Sequence, residues 1–352
     1  MDKYCNYIIV GQGIAGTVLG QTLLDQNKSV LIIDDLSLSN ASRIAAGLYN
    51  PIVFKRLVKS WMIDDLLPVM NKFYTDAEQL LNYKFYFERK IVKPFAEAHE
   101  RALWQKKVNE EVGKYLSNDI HYDFLKDIIY NPLGVSEVLS GGNLKIEIFL
   151  DLFREYFKRE NILLEEKINY NELMVNENNV VYKNISADKV IFCEGFKTID
   201  NPYFSWLPFK LTKGEVITIK IPNAIIPDQF VINKGVFILP LGNGMYKAGA
   251  TYEWNDLSEH PTEKGKEELM DKLNKVIKLP FEIIDHQAGI RPTVIDRRPL
   301  LGIHPKHKSL AVFNGLGTKG VMLAPYFAKH FADYLDKKNV LNKEVDINRF
   351  IK

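Results

Sequence analysis

The sequence predicts an α/β fold in which a nucleotide-binding parallel sheet is assembled from discontinuous stretches of chain, with a second, mostly antiparallel domain inserted between them. Three observations predict it. The first 35 residues read strand, glycine-rich turn, helix, strand. Short, fully apolar runs recur near residues 10, 33, 192 and 312, the composition of strands buried on both faces. From residue 214 to 252, short alternating segments follow one another between turn signals, as antiparallel strands do. At about 150 residues per domain, 352 residues fit two such units.

Each element has its own justification. Tyr7 to Val10 is an apolar run that stops at glycine, Ile14 to Asp25 carries helix-period apolar positions, and Val30 to Ile33 is a second apolar run. Asp64 to Leu81 is helical in pattern, Tyr83 to Val92 is aromatic and alternating like a strand, and Arg101 to Leu116 reads as a charged surface helix. Gly141 and Gly142 break the chain before a helix over Lys145 to Arg159, with apolar Ile148, Leu152, Phe153 and Tyr156. Val190 to Cys193 reads as a buried strand ending at Glu194 and Gly195. Ile221-Pro222-Asn223 and Leu241-Gly242-Asn243-Gly244 mark turns in the antiparallel region. Thr262 to Ile277 is helical, Ser309 to Phe313 is a last strand, and Val321 to Leu335 a last helix. The boundaries assign 1–80, 141–205 and 286–352 to the nucleotide-binding domain and 81–140 and 206–285 to the second, substrate domain.

Composition narrows the class. With 46% hydrophobic and 26% charged residues the chain is an ordinary globular one. Forty-six basic against 44 acidic residues leave a net charge of +2, too little to imply a nucleic-acid binder by bulk charge. Cys5 and Cys193 are the only cysteines, which excludes a disulfide framework and a cysteine zinc site. The start MDKYCNYIIVGQG lacks the basic head and cleavage site of a signal peptide, and no apolar run approaches the roughly 20 residues that span a bilayer. A cytoplasmic location without membrane contact is expected.

Gly11-Gln12-Gly13-Ile14-Ala15-Gly16 matches G-x-G-x-x-G between a strand and a helix. Gly11 permits the tight turn, Gly13 the approach of a pyrophosphate, and Gly16 close helix packing. Ile14 and Ala15 open the helix whose N–H groups face the phosphates. Asp34 ends the second strand, 23 residues after Gly11, where a carboxylate accepts from ribose hydroxyls; Asp35 could share the role. The fingerprint alone leaves FAD and NAD open. Asn40 to Leu48, rich in small residues, suits close backbone approach to a large flat ligand, although a plain loop entering a helix would read the same.

On these residues the chain resembles the FAD-dependent D-amino-acid oxidase and glycine oxidase superfamily. The carriers are VGQGIAG at Val10 to Gly16, Asp34, ASRIAAGLYNP at Ala41 to Pro51, IFCEG at Ile191 to Gly195, AGIRPTVIDRRPLLG at Ala288 to Gly302 and FNGLGTKGVMLAP at Phe313 to Pro325. ASRIAAGLYNP and GLGTKG are most similar to the oxidase domain of the bifunctional tRNA methylaminomethyl-thiouridine biosynthesis enzymes; the resemblance does not extend to their fused methyltransferase domain. It implies a discontinuous Rossmann-like FAD-binding domain with an inserted antiparallel-sheet substrate domain. Gly11, Gly13, Gly16 and Asp34 would hold the ADP half, Ser42, Arg43, Ala46, Gly47 and Leu48 would line the path to the isoalloxazine, and Glu194 and Gly195 would sit by the adenosine and pyrophosphate. Asn314, Gly315, Gly317, Thr318, Lys319 and Gly320 would meet the flavin N1–C2=O edge, and backbone N–H groups ahead of a helix suit that edge physically. Lys319 would add positive charge there, unless it faces solvent.

Arg291 in Gly-Ile-Arg-Pro matches the family segment whose arginine clamps a substrate carboxylate, a task for which the planar guanidinium is suited; pairing with Asp285 or Asp296 is the structural alternative. Thr318 stands where glycine oxidases carry a second arginine. Tyr246 and Tyr252 flank a sheet segment where family members place an aromatic wall, and would complete the catalytic set with Arg291; a core position would explain either. His286 precedes the arginine motif, and His304 and His307 form a loop pair without a third ligand, so no metal is expected. Lys55, Arg56, Lys59 and Trp61 are the most basic cluster with an aromatic, either a solvated helix face or a contact for an RNA backbone. The implied activity is oxidation of the C–N bond of a carboxylate-bearing amine by hydride transfer to flavin N5, with dioxygen as acceptor. A tRNA wobble-uridine carboxymethylaminomethyl oxidase and a noncatalytic FAD-binding protein are the alternatives.

Overall fold

The computed structural model describes residues 3–36, 41–222 and 225–351. Asn40 and Asn223, which belong to the expected small-residue segment and the expected turn, lie outside the described residues. The buried apolar runs assemble as the spacing predicts. Lys3–Val10 pairs in parallel with Val30–Ile33 on one side and Ile185–Phe192 on the other, and Leu310–Asn314 lies parallel beyond that. Leu300–Ile303 closes one edge antiparallel to Leu310–Asn314 and Leu163–Leu164 closes the other. Helices Ile14–Asp25 and Gly320–Leu335 pack side by side against this sheet. Both are apolar over most of their surface, as helices between a sheet and the rest of a core must be.

A second sheet of eight strands runs in the order Glu282–Arg291, Thr212–Lys220, Met245–Gly249, Phe237–Gly242, Phe230–Asn233, Tyr86–Pro94, Val135–Leu144 and Leu48–Tyr49. It is antiparallel except where Phe230–Asn233 runs parallel to Tyr86–Pro94. Its alternation separates two faces. One buries Ile217, Ile219, Tyr246 and Ala248 against Leu269 and Leu273 of helix Glu263–Asn274, which Thr262 caps by accepting the Gly265 N–H at 3.0 Å. The other presents Gly214, Val216, Gly249, Gly289 and Arg291 to a cavity between the two sheets.

Three expectations are corrected. The charged helix expected over Arg101 to Leu116 ends at Lys107, and a separate turn of 3-10 helix covers Glu111–Tyr115; Gly113 lies so close to the Val108 carbonyl that a Cβ would be 1.9 Å from it, so the chain folds back there. Gly141 and Gly142 do not break the chain but sit inside Val135–Leu144, where a Cβ on Gly142 would fall 2.4 Å from the Tyr49 hydroxyl. Glycine within a strand marks such close approach. The apolar stripe of helix Ile146–Arg159 is Phe149, Leu150, Phe153 and Phe157, leaving Ile148, Leu152 and Tyr156 only partly buried. The expected boundaries at 141 and 286 fall inside strands of the second sheet. No helix among the described residues is long and apolar enough to cross a membrane.

Candidate active site

A cavity of about 1320 Å³ extends from the Gly11 turn to Arg291. At its first end Gly11 has φ +101°, and a Cβ there would come 2.7 Å from the Cys193 carbonyl oxygen, so this turn needs glycine. Gly13, Ile14 and Ala15 line the cavity at the N-terminus of the first helix. The Ile14 N–H donates to Ser42 Oγ at 3.2 Å, which seats Ser42 on the helix end. Gly16 does not reach the cavity; a Cβ on it would fall 1.8 Å from the Gly11 carbonyl oxygen, so its contribution is helix packing.

Asp34 and Asp35 line the edge beyond the second strand. Asp34 Oδ1 accepts the Gln12 N–H at 2.8 Å, and Oδ2 lies 2.7 Å from Arg154 Nη1. Arg154 is buried and also reaches Gln12 Oε1 at 3.0 Å and Glu165 at 3.0 Å. It went unnoticed in the sequence, although a charged residue between Phe153 and Phe157 on the buried stripe of a helix must have a partner. Across the cavity, Glu194 accepts from the Tyr170 hydroxyl and from Asn201 Nδ2 at 2.7 Å. Burial pushes its carboxyl pKa up, against the pull of these two donors. Gly195 has φ +59° with no atom within 4 Å of a Cβ position, an open wall.

Asn314 joins the two glycine loops, donating to the Gly195 carbonyl at 2.9 Å and Thr198 Oγ1 at 2.7 Å while its own Oδ1 accepts the Gly315 N–H at 2.7 Å. Gly315 turns the chain without lining the cavity; Gly317, Thr318, Lys319 and Gly320 line it. Lys319 does not face solvent. Its Nζ donates to Ser60 Oγ at 3.0 Å, and burial, with Arg298 nearby, holds its pKa below the usual lysine range.

Ala46, Gly47 and Leu48 line the cavity as expected. Arg43 does not: its side chain turns to Asp151 at 2.7 Å, away from the cavity. The segment is seated by a residue the sequence did not single out, Lys247, whose Nζ donates to the Ile44 carbonyl at 2.9 Å.

Arg291 lines the far end of the cavity. Neither Asp285 nor Asp296 pairs with it, Asp296 being held by Arg349 at 2.8 Å. Both Nη atoms donate to the Thr251 carbonyl at 3.2 Å, and Nη1 also donates to the Lys213 carbonyl at 3.3 Å. Among the described residues no carboxylate lies within ion-pair distance, so the positive charge is oriented but not neutralised. The Tyr252 ring covers one side, 4.5 Å from Cζ. The guanidinium also occupies the space a Cβ on Gly214 would need, 1.8 Å from Nη2. Gly214 pairs with Gly289 across the strands, so Arg291 folds diagonally over it. Gly214→Ala should therefore displace the guanidinium and weaken binding of a small carboxylate such as acetate by about tenfold, about 1.4 kcal/mol, measured by titrating the holoenzyme; unchanged affinity would show that Arg291 holds its place another way.

Tyr246 is a correction. It is buried in the core on the opposite face of the sheet, with its hydroxyl accepting the Ile226 N–H at 3.0 Å, because strand residues one apart point to opposite faces. His286 also lies outside the cavity, its Nε2 2.8 Å from Glu215. His304 and His307 are used locally, His304 Nδ1 accepting the Lys306 and His307 N–H groups. Lys55 and Arg56 sit not on a helix but at the exposed tip of the hairpin Ile52–Val53 and Val58–Lys59. Ile52 and Val53 line the cavity, so the tip stands near its edge. Lys59 is paired with Asp64 and Glu111, and Trp61 stacks on Phe327.

A model of the FAD dependent oxidoreductase (DAO) family matches residues 6–334. The chain belongs to the FAD-dependent oxidoreductase family. Glycine oxidase from Pseudomonas putida is 31% identical over 157 residues, covering 43% of this chain and 42% of that protein. The tRNA 5-methylaminomethyl-2-thiouridine biosynthesis bifunctional protein of Marinobacter nauticus is 24% identical over 166 residues, 43% of this chain and 26% of that protein. The chain thus matches less than half the length of either relative. The structure of glycine oxidase from Geobacillus kaustophilus superposes with a TM-score of 0.80 at 17% identity, covering 99% of this chain and 100% of that one.

The residues of this FAD-dependent oxidoreductase fit FAD. The cavity runs unbroken from the dinucleotide turn to the second sheet, and at Gly195 and Gly317 no atom comes within about 3.9 Å of a Cβ position, room for a ligand against bare backbone. Gly11, Gly13 and the helix N-terminus would hold the pyrophosphate, Asp34 the ribose, and the Gly317–Gly320 turn with Lys319 the pyrimidine edge of the flavin.

Proposed function

We propose that the protein oxidises the C–N bond of an amine that bears a carboxylate, of the D-amino-acid, glycine or N-alkyl-glycine type. The observation that carries this reading is the un-neutralised Arg291 guanidinium in the cavity wall. FAD, when bound, supplies the two-electron acceptor. Arg291 holds the substrate carboxylate and thereby fixes where the adjacent C–H and amine lie, a positioning effect. The amine loses two electrons and two protons to become an imine, and water hydrolyses it to a carbonyl compound and a released amine or ammonia. Dioxygen is the terminal acceptor in this reading, and hydrogen peroxide the product.

The acidic residues lining the cavity are Asp34, Asp35, Glu166, Glu194 and Asp200, whereas the lining residues of the second sheet include none. Among the described residues no carboxylate lines that end to hold an ammonium or take its proton, so in this reading the amine enters neutral. kcat/KM should accordingly rise about tenfold per pH unit below the substrate amine's pKa and level off above it; a pH-independent kcat/KM across that range would reject neutral-amine binding. The direct test is anaerobic bleaching of the holoenzyme with D-amino acids, glycine, sarcosine, proline and modified tRNA. No reduction by any of them would favour a noncatalytic FAD protein.

A second reading, a carboxymethylamino group on a tRNA wobble uridine as substrate, is supported by the exposed Lys55 and Arg56 beside the cavity. Under it, reduction occurs with modified tRNA alone and weakens with salt, since phosphate contacts release counterions.

A further inference from the structure

Arg291 is aimed by two carbonyl oxygens, and one buried lysine organises the segment that supplies them. Lys213 lies on Thr212–Lys220, and its side chain points away from the cavity because its neighbour Gly214 points into it. Its own carbonyl accepts from Arg291 Nη1. Its N–H and carbonyl exchange hydrogen bonds with Glu253 at 2.8 and 3.0 Å. Its ammonium, fully buried, reaches Asp256 at 2.7 Å and Ser258 Oγ at 3.0 Å, with Glu215 at 3.7 Å. The stretch from Thr251 to Ser258 is therefore tied to the strand at both ends, at Lys213 and at Glu215, whose N–H donates to Thr251 Oγ1 at 2.9 Å. That stretch carries the Thr251 carbonyl that takes both Nη atoms and the Tyr252 ring that covers the guanidinium.

We propose that Lys213 is a positioning residue for carboxylate recognition, acting through Asp256 to hold the Thr251–Ser258 segment that aims and covers Arg291. The inference rests on the reading of Arg291 as the carboxylate anchor. A buried ammonium needs a partner, and Asp256 is the near one; the Lys213 ammonium in turn holds the Asp256 carboxyl well below the usual carboxylate range. Asp256 is half exposed, so the pair sits where a rim segment meets the sheet rather than in the core. Without the ammonium, the rim keeps its backbone bonds to Lys213 and Glu215 but loses its anchor beyond Glu253. The Thr251 carbonyl and Tyr252 are then free to drift from the guanidinium.

The test uses the FAD-loaded enzyme, with acetate as a carboxylate that cannot be oxidised and its Kd read from perturbation of the flavin spectrum. Lys213→Met should weaken acetate by about tenfold, about 1.4 kcal/mol, and raise KM for a carboxylate-bearing amine while leaving KM for its methyl ester nearly unchanged. Asp256→Asn, at a half-exposed position, should do the same by about threefold, and it decides the matter if Lys213→Met does not fold. Equal losses for acid and ester, or wild-type acetate affinity in the folded variants, would overturn the inference. Arg291→Ala measured alongside separates the two claims. If it too binds acetate normally, the carboxylate reading itself fails; if it alone loses acetate, only the role of Lys213 does.

Discussion

Arg291→Ala is expected to lower kcat/KM for carboxylate-bearing amines by at least about thirtyfold, about 2 kcal/mol, the usual loss on removing a charged hydrogen-bond partner from a partly desolvated site. The guanidinium is held by the Thr251 and Lys213 carbonyls, covered by Tyr252, and faces no carboxylate of the described chain. A substrate carboxylate would be its first counter-charge. Amines of similar size without a carboxylate should be turned over equally by both enzymes, and steady-state kinetics on such a pair make the comparison. Unchanged turnover of the carboxylate-bearing amine would reject the assignment, whatever the family.

Arg154→Met should act at the other end of the cavity, on cofactor retention. The side chain is 3% exposed and paired with Asp34 at 2.7 Å, and it also holds Gln12 within the glycine turn. Removing it leaves a poorly solvated carboxylate beside the turn and should cost about 3 kcal/mol, read as a lower denaturation midpoint of the apoprotein and as FAD lost on dilution. Adding Asp34→Asn should recover part of the stability, since the second change removes the stranded charge, without restoring FAD affinity. An apoprotein as stable as wild type would show that solvent screens the pair.

Much of the fold was legible because its signals are local. The apolar runs ending at Val10, Ile33 and Phe192 are each buried on both faces, so composition alone marks them as central strands of the parallel sheet. Gly141 and Gly142 read as a break because glycine has two uses that look alike in sequence. It breaks elements, and it lets another chain approach within an element; the Tyr49 hydroxyl beside Gly142 comes from a strand some 90 residues away. The candidate site divides in the same way. Gly11, Gly13, Gly317 and Gly320 line the cavity, whereas Gly16, Gly315, Arg43 and Tyr246 do not.

From Lys3 to Asp34 the chain carries its own instructions: a strand that must be buried, a turn only glycine can make, a helix whose N-terminus opens on the cavity, and a carboxylate after the next strand that lines the same cavity. Neighbours in sequence suffice for that, so a dinucleotide-binding unit could be read from letters. Which side chains meet a substrate is a matter of register and of pairing across long separations. The alternation of Met245–Gly249 sends Tyr246 to the core and Gly249 to the cavity, and the pairing of Gly214 with Gly289 opens the space into which Arg291 folds. Carbonyls 40 and 78 residues away aim its charge, a geometry that exists only once the second sheet has formed.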